Sequence, residues 1–130
     1  MQRVLHHGLA CVCLLVRLAV ATADEPFAIA ENGQPRCVIA VAAEPSPAER
    51  TAAAELQAIL QEVTGAVLPI RACSEIDRDA RQIVVGPSAR LGELLPDAEL
   101  DDDVGADGIL IRTVDNALVL AGPRPRGTLY

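Results

Sequence analysis

Several kinds of side chain are absent or scarce in this sequence of 130 residues. It contains no lysine and no tryptophan, one phenylalanine and one tyrosine, and its only two histidines are the neighbours His6 and His7. The lack of lysine excludes Schiff-base chemistry. The scarcity of aromatic rings argues against a surface that stacks sugars.

Positive charge is also in short supply. Acidic residues outnumber basic ones by 18 to 11, all of the basic residues are arginines, and the formal net charge is −7. Because a surface that binds nucleic acid needs clustered positive charge, we expect no nucleic-acid partner. Hydrophobic residues make up 51% of the chain, which is enough for one folded domain.

The N-terminal segment has the features of a secretory signal peptide. Arg3 supplies a positive start, Gly8–Ala21 an apolar middle, and a small-x-small pattern ending at Ala23 predicts cleavage before Asp24. The alternative is a membrane anchor, but a span needs about 20 apolar residues and Arg17 interrupts this segment. We therefore expect an exported protein, secreted or periplasmic, with no membrane span.

Cleavage after Ala23 removes both histidines, which excludes several kinds of active site. A Ser-His-Asp or Cys-His nucleophile system and an imidazole zinc site all need histidine. We therefore predict no catalytic residue, cofactor or metal ligand in the mature chain.

Two cysteines, Cys37 and Cys73, follow the expected cleavage site, and an even number in an exported protein suggests a disulfide. However, Cys37 begins a predicted strand, and Cys73 follows the end of the next strand after a long helix. Strands connected in this way are parallel, so the two cysteines lie at opposite ends, roughly 20 Å apart. A disulfide needs Cα atoms within about 7 Å, so we expect two free thiols.

The clearest element is a helix over Pro47–Thr64. Ser46 is expected to cap it, with Glu49 completing a capping box, and Gly65 to end it in the left-handed conformation. Apolar residues recur every three or four positions and predict one buried stripe. The stripe consists of Ala48, Ala52, Leu56, Ile59, Leu60 and Val63.

Short apolar runs between turn residues predict the strands. They are Phe27–Ile29, Cys37–Ala43, Val67–Ala72, Gln82–Val85, Ile109–Val114 and Ala117–Ala121. Pro69 favours an edge position for its strand, and Asp115-Asn116 favours a tight hairpin between the last two strands. Ser88 is expected to cap a short helix that runs to Leu95, and the segment 97–108 is expected to be an acidic loop.

Most of the chain after the leader resembles the N-terminal accessory domain of alpha-glucuronidases, which is related to the second domain of beta-N-acetylhexosaminidases and to bacterial exported glycosidase-like proteins. The resemblance depends on the order of the elements and on a final R-G-T-L-Y, and no single motif is diagnostic. The segments that carry it are ENGQPRCVIAVAAEPSPAERTAAAELQAILQEVTGAVLPI (31–70), IVVGPSARLGEL (83–94) and DGILIRTVDNALVLAGPRPRGTLY (107–130).

The resemblance implies an α/β (α+β) two-layer sandwich, in which a mixed β-sheet has its main helices packed on one face. The expected domain spans Asp24–Tyr130, after a signal peptide at Met1–Ala23. In such enzymes the domain precedes a (β/α)₈ barrel with the catalytic carboxylates, so the implied partner is this barrel, and carbohydrate is bound only through it. The segment that matches Arg126–Tyr130 opens the last helix of the family's domain, and we expect that helix to be truncated here.

The densest group of acids lies in the predicted acidic loop and consists of Asp101, Asp102, Asp103 and Asp107. Glycoside hydrolysis needs two carboxyl groups across a sugar cleft, but no aromatic platform accompanies these aspartates. Their alternation also resembles a calcium loop, although Arg112 stands where an EF-hand has its last glutamate. We expect a solvated acidic loop.

Two other places in the sequence are candidates for binding. Val84–Arg90 sets a glycine turn before a helix N-terminus, where anions can bind, but a plain turn and helix cap explain the same residues. Arg124, Arg126 and Tyr130 are candidate residues of a domain interface, and a solvated surface position is the alternative for the two arginines.

These observations predict a non-catalytic accessory domain of an exported, alpha-glucuronidase-like glycoside hydrolase that acts in polysaccharide degradation. The alternatives are a free-standing secreted carbohydrate-binding module and a small enzyme that uses carboxylate or metal chemistry.

Overall fold

The computed structural model describes residues 26–124 and Thr128, without the side chains of Asp101 and Asp103. The expected signal peptide and its cleavage site at Ala23 and Asp24 lie outside the described residues, as do Arg126 and Tyr130.

The described residues form a mixed sheet with helices packed against it. The strands are β1 (Ala30–Glu31), β2 (Gln34–Pro35), β3 (Val38–Val41), β4 (Ile70–Ala72), β5 (Gln82–Val85), β6 (Leu110–Val114) and β7 (Ala117–Ala121). The helices are α1 (Pro47–Thr64), α2 (Ala89–Leu94) and α3 (Leu100–Val104), with a short 3₁₀ turn at Cys73–Glu75.

Five strands make up the main sheet in the order β4-β3-β5-β7-β6. The pairs β3–β4, β3–β5 and β5–β7 are parallel, while β6 and β7 form an antiparallel hairpin. The predicted parallel crossover from β3 through α1 to β4 is confirmed, and β4 lies at an edge as Pro69 suggested. β1 and β2 pair separately, around the turn at Asn32-Gly33.

The long helix α1 has the predicted ends. The Ser46 side chain accepts the Glu49 N–H, the Glu49 carboxylate accepts the Ser46 N–H, and Gly65 lies in the left-handed region at φ 73°. The predicted stripe is only partly right. Leu56 and other stripe residues pack on the sheet, but Ile59 is 58% exposed and Val63 is 76% exposed. The helix is rotated so that Glu49 and Ala53 are its buried residues.

The strands alternate between two apolar layers, as the period of two in a strand requires. Ile39 of β3 and Ile83 of β5 point to the layer that holds α1, and their neighbours Ala40 and Val84 point to the opposite one. In the second layer Leu91 of α2, with Leu94 and Leu100, packs against the sheet.

The expected mixed α+β sandwich is therefore confirmed, with the long helix on one face. The structure adds that the short helices α2 and α3 lie against the other face.

Two local predictions were wrong. Phe27–Ile29 is not a strand; the strand begins at Ala30, and Phe27 packs on the core with the Arg81 guanidinium 5.7 Å from its ring centre. The predicted acidic loop contains helix α3, because Leu100 gives this polar stretch one apolar side chain that packs in the second layer.

Both described cysteines are unbonded, as predicted. Cys37 precedes β3 and Cys73 follows β4, so the parallel pairing puts them at opposite ends of neighbouring strands. Cys37 is buried, and its Sγ donates to the carbonyl oxygen of Ile29 at 3.6 Å. Burial raises the pKa of the Cys37 thiol to about 11, although the positive charge of Arg81 opposes the shift.

The core contacts lead to a first prediction. Ile83→Val removes one methyl group from a side chain that is 1% exposed, and we expect it to lower the free energy of unfolding by about 0.5–1.5 kcal/mol in a urea titration. Ile111→Val makes the same change at a side chain that is 65% exposed, and it should change the value by less than about 0.5 kcal/mol. Equal effects at the two positions would contradict the described core.

A second prediction concerns alkaline pH. Because folding raises the pKa of Cys37 above its ordinary 9.0, the unfolded chain loses this proton first. The protonated, buried thiol of Cys37 contributes its full share to the free energy of unfolding below about pH 9. This contribution is lost as the pH rises toward about 11, and the free energy of unfolding falls by up to about 2–3 kcal/mol. Urea titrations of the parent and of Cys37→Ala across this range should show a shallower decrease in the variant. Parallel curves would show that Cys37 does not titrate in this way.

Candidate functional site

Four parallel strands, β3, β4, β5 and β7, end at the same edge of the sheet. The loops that follow them therefore meet there, together with the N-termini of α1 and α2. In open α/β sheets this carboxyl edge is where ligands usually bind. The ion pair Glu49–Arg124 and the Arg78–Glu93–Arg90 group lie near this edge.

Glu49 is the most deeply buried charged residue at this edge, with 1% of its surface exposed. Its Oε2 accepts the Ser46 N–H at 2.9 Å, and its Oε1 accepts the Nε–H of Arg124 at 2.8 Å. A second contact, from Nη2 of Arg124 to Oε2 of Glu49, measures 3.3 Å. The hydrogen bonds and the negative charge of Glu49 raise the pKa of Arg124 above its ordinary value. The guanidinium therefore stays charged, and the pair ties α1 to the segment that leaves β7.

The turn after β5 packs closely against the same carboxylate. Gly86 has φ 79°, and a Cβ at this position would lie 2.7 Å from Cγ of Glu49. Its N–H donates to the carbonyl oxygen of Leu120 at 2.9 Å. A side chain at residue 86 would displace Glu49 and strain the backbone. Glycine is therefore required here for the close approach of α1.

The structure changes the interpretation of Arg124. The sequence suggested either a domain interface or a solvated arginine, and the described side chain is half exposed and bonded to Glu49. The capping box predicted the local role of Glu49. Its partner was missed because 75 residues separate the two, and the sequence contains no signal for the pairing.

On the opposite side of this edge, the Val84–Arg90 segment folds as the predicted turn and cap. The Ser88 side chain accepts the Leu91 N–H at 3.2 Å. Nη1 of Arg90 contacts Glu93 at 3.1 Å, and its Nη2 donates to the carbonyl oxygen of Arg78 at 2.9 Å. Glu93 also accepts a hydrogen bond from Nη2 of Arg78 at 2.9 Å, so it joins the two arginines.

A cavity of about 360 Å³ opens beside these arginines. Its lining comes from the loops after β3, β4 and β5 and includes Ala42, Cys73, Ser74, Ser88 and Arg90. Burial raises the pKa of the Cys73 thiol, although a hydrogen bond with Ser88 and the charge of Arg90 lower it. The thiol is therefore a neutral part of the wall at neutral pH.

The acidic stretch does not form a closed site in the part that the structure describes. Asp102 lies exposed on α3, and Asp107 is exposed in the turn before β6. Within residues 26–124 and Thr128, leaving aside the side chains at 101 and 103, no three His, Cys, Asp or Glu side chains lie close enough to hold a metal ion.

The face of the sheet that carries α1 is unevenly covered. Leu120 of β7 is only half buried, and Ile111, its cross-strand partner on the same face, is 65% exposed. On the other face Val119 of β7 is fully buried. A cavity of about 210 Å³ lies on the α1 side, lined in part by Ile59, Leu120 and Thr128.

Thr128 shows where the chain goes after β7. Its hydroxyl donates to the carbonyl oxygen of Gly122 at 3.1 Å and accepts the N–H of the same residue at 3.2 Å. This pair of bonds holds Thr128 in the lining of the cavity between α1 and β7.

No helix among the described residues is long and apolar enough to cross a membrane.

The ion pair at the edge leads to a third prediction. A double-mutant cycle with Glu49→Gln and Arg124→Gln should give a coupling energy of about 1.5–3 kcal/mol in urea unfolding, because one partner is fully buried. The exposed pair Glu31–Arg36 provides the matched cycle, and its coupling should stay below about 1 kcal/mol. Similar values for the two pairs would mean that Glu49 is not the connection described above.

Comparison with known proteins agrees with this architecture. No curated protein matches the chain. The family model described as "Glycosyl hydrolase family 67 N-terminus" matches residues 21–130. The match confirms the resemblance to the N-terminal domain of alpha-glucuronidases, and it implies that a catalytic domain lies elsewhere in the full-length protein. The chain therefore belongs to the family of glycosyl hydrolase family 67 N-terminal domains.

Proposed function

We propose that this chain is a non-catalytic accessory domain of an exported, alpha-glucuronidase-like glycoside hydrolase that acts on polysaccharide. It packs against further polypeptide of the same enzyme, which includes a (β/α)₈ catalytic barrel, and binds carbohydrate only through that barrel. The observation that carries this proposal is the half-covered face of the sheet. On this face Ile59 of α1 and Leu120 and Ile111 of the β6–β7 hairpin form a partly exposed apolar surface, the uncovered strip.

The width of the uncovered strip supports a protein partner. Neighbouring strands lie about 4.8 Å apart and packed helices about 10 Å apart, so one helix covers roughly two strands. α1 packs on β3, β4 and β5, which leaves β7 and β6 for a second element of helical width. Exposed apolar surface of this kind is typical of sites where other polypeptide packs.

The chain itself leads to this strip. Thr128 lines the cavity together with Ile59 and Leu120. Tyr130 stays a proposed residue of the domain interface. Arg124 anchors the same connection through Glu49, and Arg126 lies between the two anchored residues in the sequence.

The export part of the proposal depends on the leader at Met1–Ala23. Its positive start, apolar middle and small residues before Asp24 are the features that signal peptidase substrates share. N-terminal sequencing of the extracellular or periplasmic protein should give Asp24 as the first residue, and a retained leader would contradict export by this route.

The fourth prediction tests the packing. Ile59→Arg places a charge on the uncovered strip, and in the isolated chain it should change the free energy of unfolding by less than about 1 kcal/mol, since Ile59 is 58% exposed. In the full-length enzyme the same change should lower the melting temperature by several degrees, because a charge would be buried against the polypeptide that covers the strip. Ala58→Arg is the matched control, because Ala58 is the exposed neighbour of Ile59 on α1.

Three results would contradict the proposal or redirect it. If the full-length enzyme tolerates Ile59→Arg as well as Ala58→Arg, no further polypeptide packs on the strip. If the purified chain alone hydrolyses a glucuronide, the domain is catalytic. If it binds polysaccharide tightly by itself, the alternative of a free-standing carbohydrate-binding module is favoured.

A further inference from the structure

The cavity beside Arg90 lies at a special point of the sheet. β3 and β5 are adjacent and parallel, but α1, which follows β3, packs on one face, while α2, which follows β5, packs on the other. The loops after the two strands therefore separate and leave a crevice between them. In open α/β sheets, ligands bind in the crevice at such a topological switch point.

The two sides of this crevice are filled differently. On the α1 side, the side chain of Glu49, which pairs with Arg124, occupies the space next to Gly86. On the α2 side the cavity of about 360 Å³ remains open, which is room for about a dozen water-sized groups. This volume falls within the usual range for small-ligand pockets.

The charges around the cavity favour an anion. Arg78 and Arg90 contribute two positive charges, and Glu93 is the single carboxylate in the described lining. Arg78, Arg90 and Glu93 also line an adjoining depression, to which Asp79 and Asp115 add two carboxylates. In a chain with a net charge of −7, the described lining of the cavity itself still carries one more positive charge than negative.

Arg90 also has an unused donor. Its side chain is only 15% exposed, and two of its five N–H groups donate to Glu93 and to the carbonyl oxygen of Arg78. Its Nε is buried and has no hydrogen-bond partner. Buried donors without an acceptor are rare and costly, and a turn of the Arg90 side chain toward a bound oxyanion would satisfy this one.

We propose that this cavity binds a small oxyanion, with Arg90 and Arg78 as cationic partners and Ser74 and Ser88 as hydroxyl partners. The ligand is a small inorganic oxyanion such as sulfate or phosphate; a small carboxylate offers the same charge, and the test below distinguishes the two. The site lies on the side of the sheet opposite to α1, so it is independent of the uncovered strip.

The fifth prediction is tested on the whole chain by NMR titration at constant ionic strength. Sulfate and acetate are the two probes, and acetamide is the neutral comparison. Binding should shift the backbone amide signals of Cys73, Ser74, Ala89 and Arg90. Sulfate alone would identify an inorganic-anion site, and acetate alone a carboxylate site. Equal binding of acetamide and acetate would overturn the proposal, because it would show that the negative charge is not recognised.

Variants that change the charge of the lining should change the affinity for the anion in opposite directions. Arg78→Gln should weaken binding several-fold and Arg90→Gln about tenfold, since each removes a charge-assisted contact. Glu93→Gln should tighten binding several-fold, because it removes the carboxylate that competes for both arginines. Arg112→Gln, at an exposed arginine on β6 outside this cavity, is the control and should change nothing.

The opposite response to Glu93→Gln distinguishes a binding site from a merely structural ion-pair network. If Arg90→Gln fails to fold, Arg78→Gln and Glu93→Gln still decide the question. Unchanged affinity in both variants, or no localised shifts with either probe, would overturn the proposal.

Discussion

The buried carboxylate of Glu49 is the interaction on which the rest of the described structure depends. It completes the cap of α1, accepts two hydrogen bonds from Arg124, and leaves so little space that residue 86 must be glycine. Three segments that are distant in the sequence therefore meet at one charged group. Because leaving that group without a partner would be costly, the position of α1 fixes the path of the chain after β7 as well.

The parallel arrangement of the strands has a second effect on this edge. The loops after β3, β4, β5 and β7 emerge at one edge, and the two helices that follow β3 and β5 depart to opposite faces. One side of the resulting crevice is closed by the protein's own ion pair, and the other contains the Arg78–Glu93–Arg90 network. On the α1 face, by contrast, β7 and β6 offer apolar side chains and little charge, which suits contact with protein.

Sequence reasoning was most successful where the determinants were local. Ser46, Glu49 and Gly65 fixed both ends of α1, and Asp115-Asn116 fixed the hairpin, because the responsible contacts span only a few residues. The mixed sheet followed from the order of the elements. The pairing of Glu49 with Arg124 and the rotation of α1 could not be predicted, since both depend on which distant residues pack together. Helix α3 was missed for the same reason, because its one apolar anchor matters only once the second layer exists.

The position of β7 has a consequence for how the chain is assembled during synthesis. β7 is the last described strand to leave the ribosome, yet it lies inside the sheet, between β5 and β6. Until Ala117–Ala121 pairs with it, the buried strand β5 has an unpaired edge. The sheet is therefore completed only by the last hairpin, and an unpaired apolar strand of this kind is prone to aggregation before that pairing.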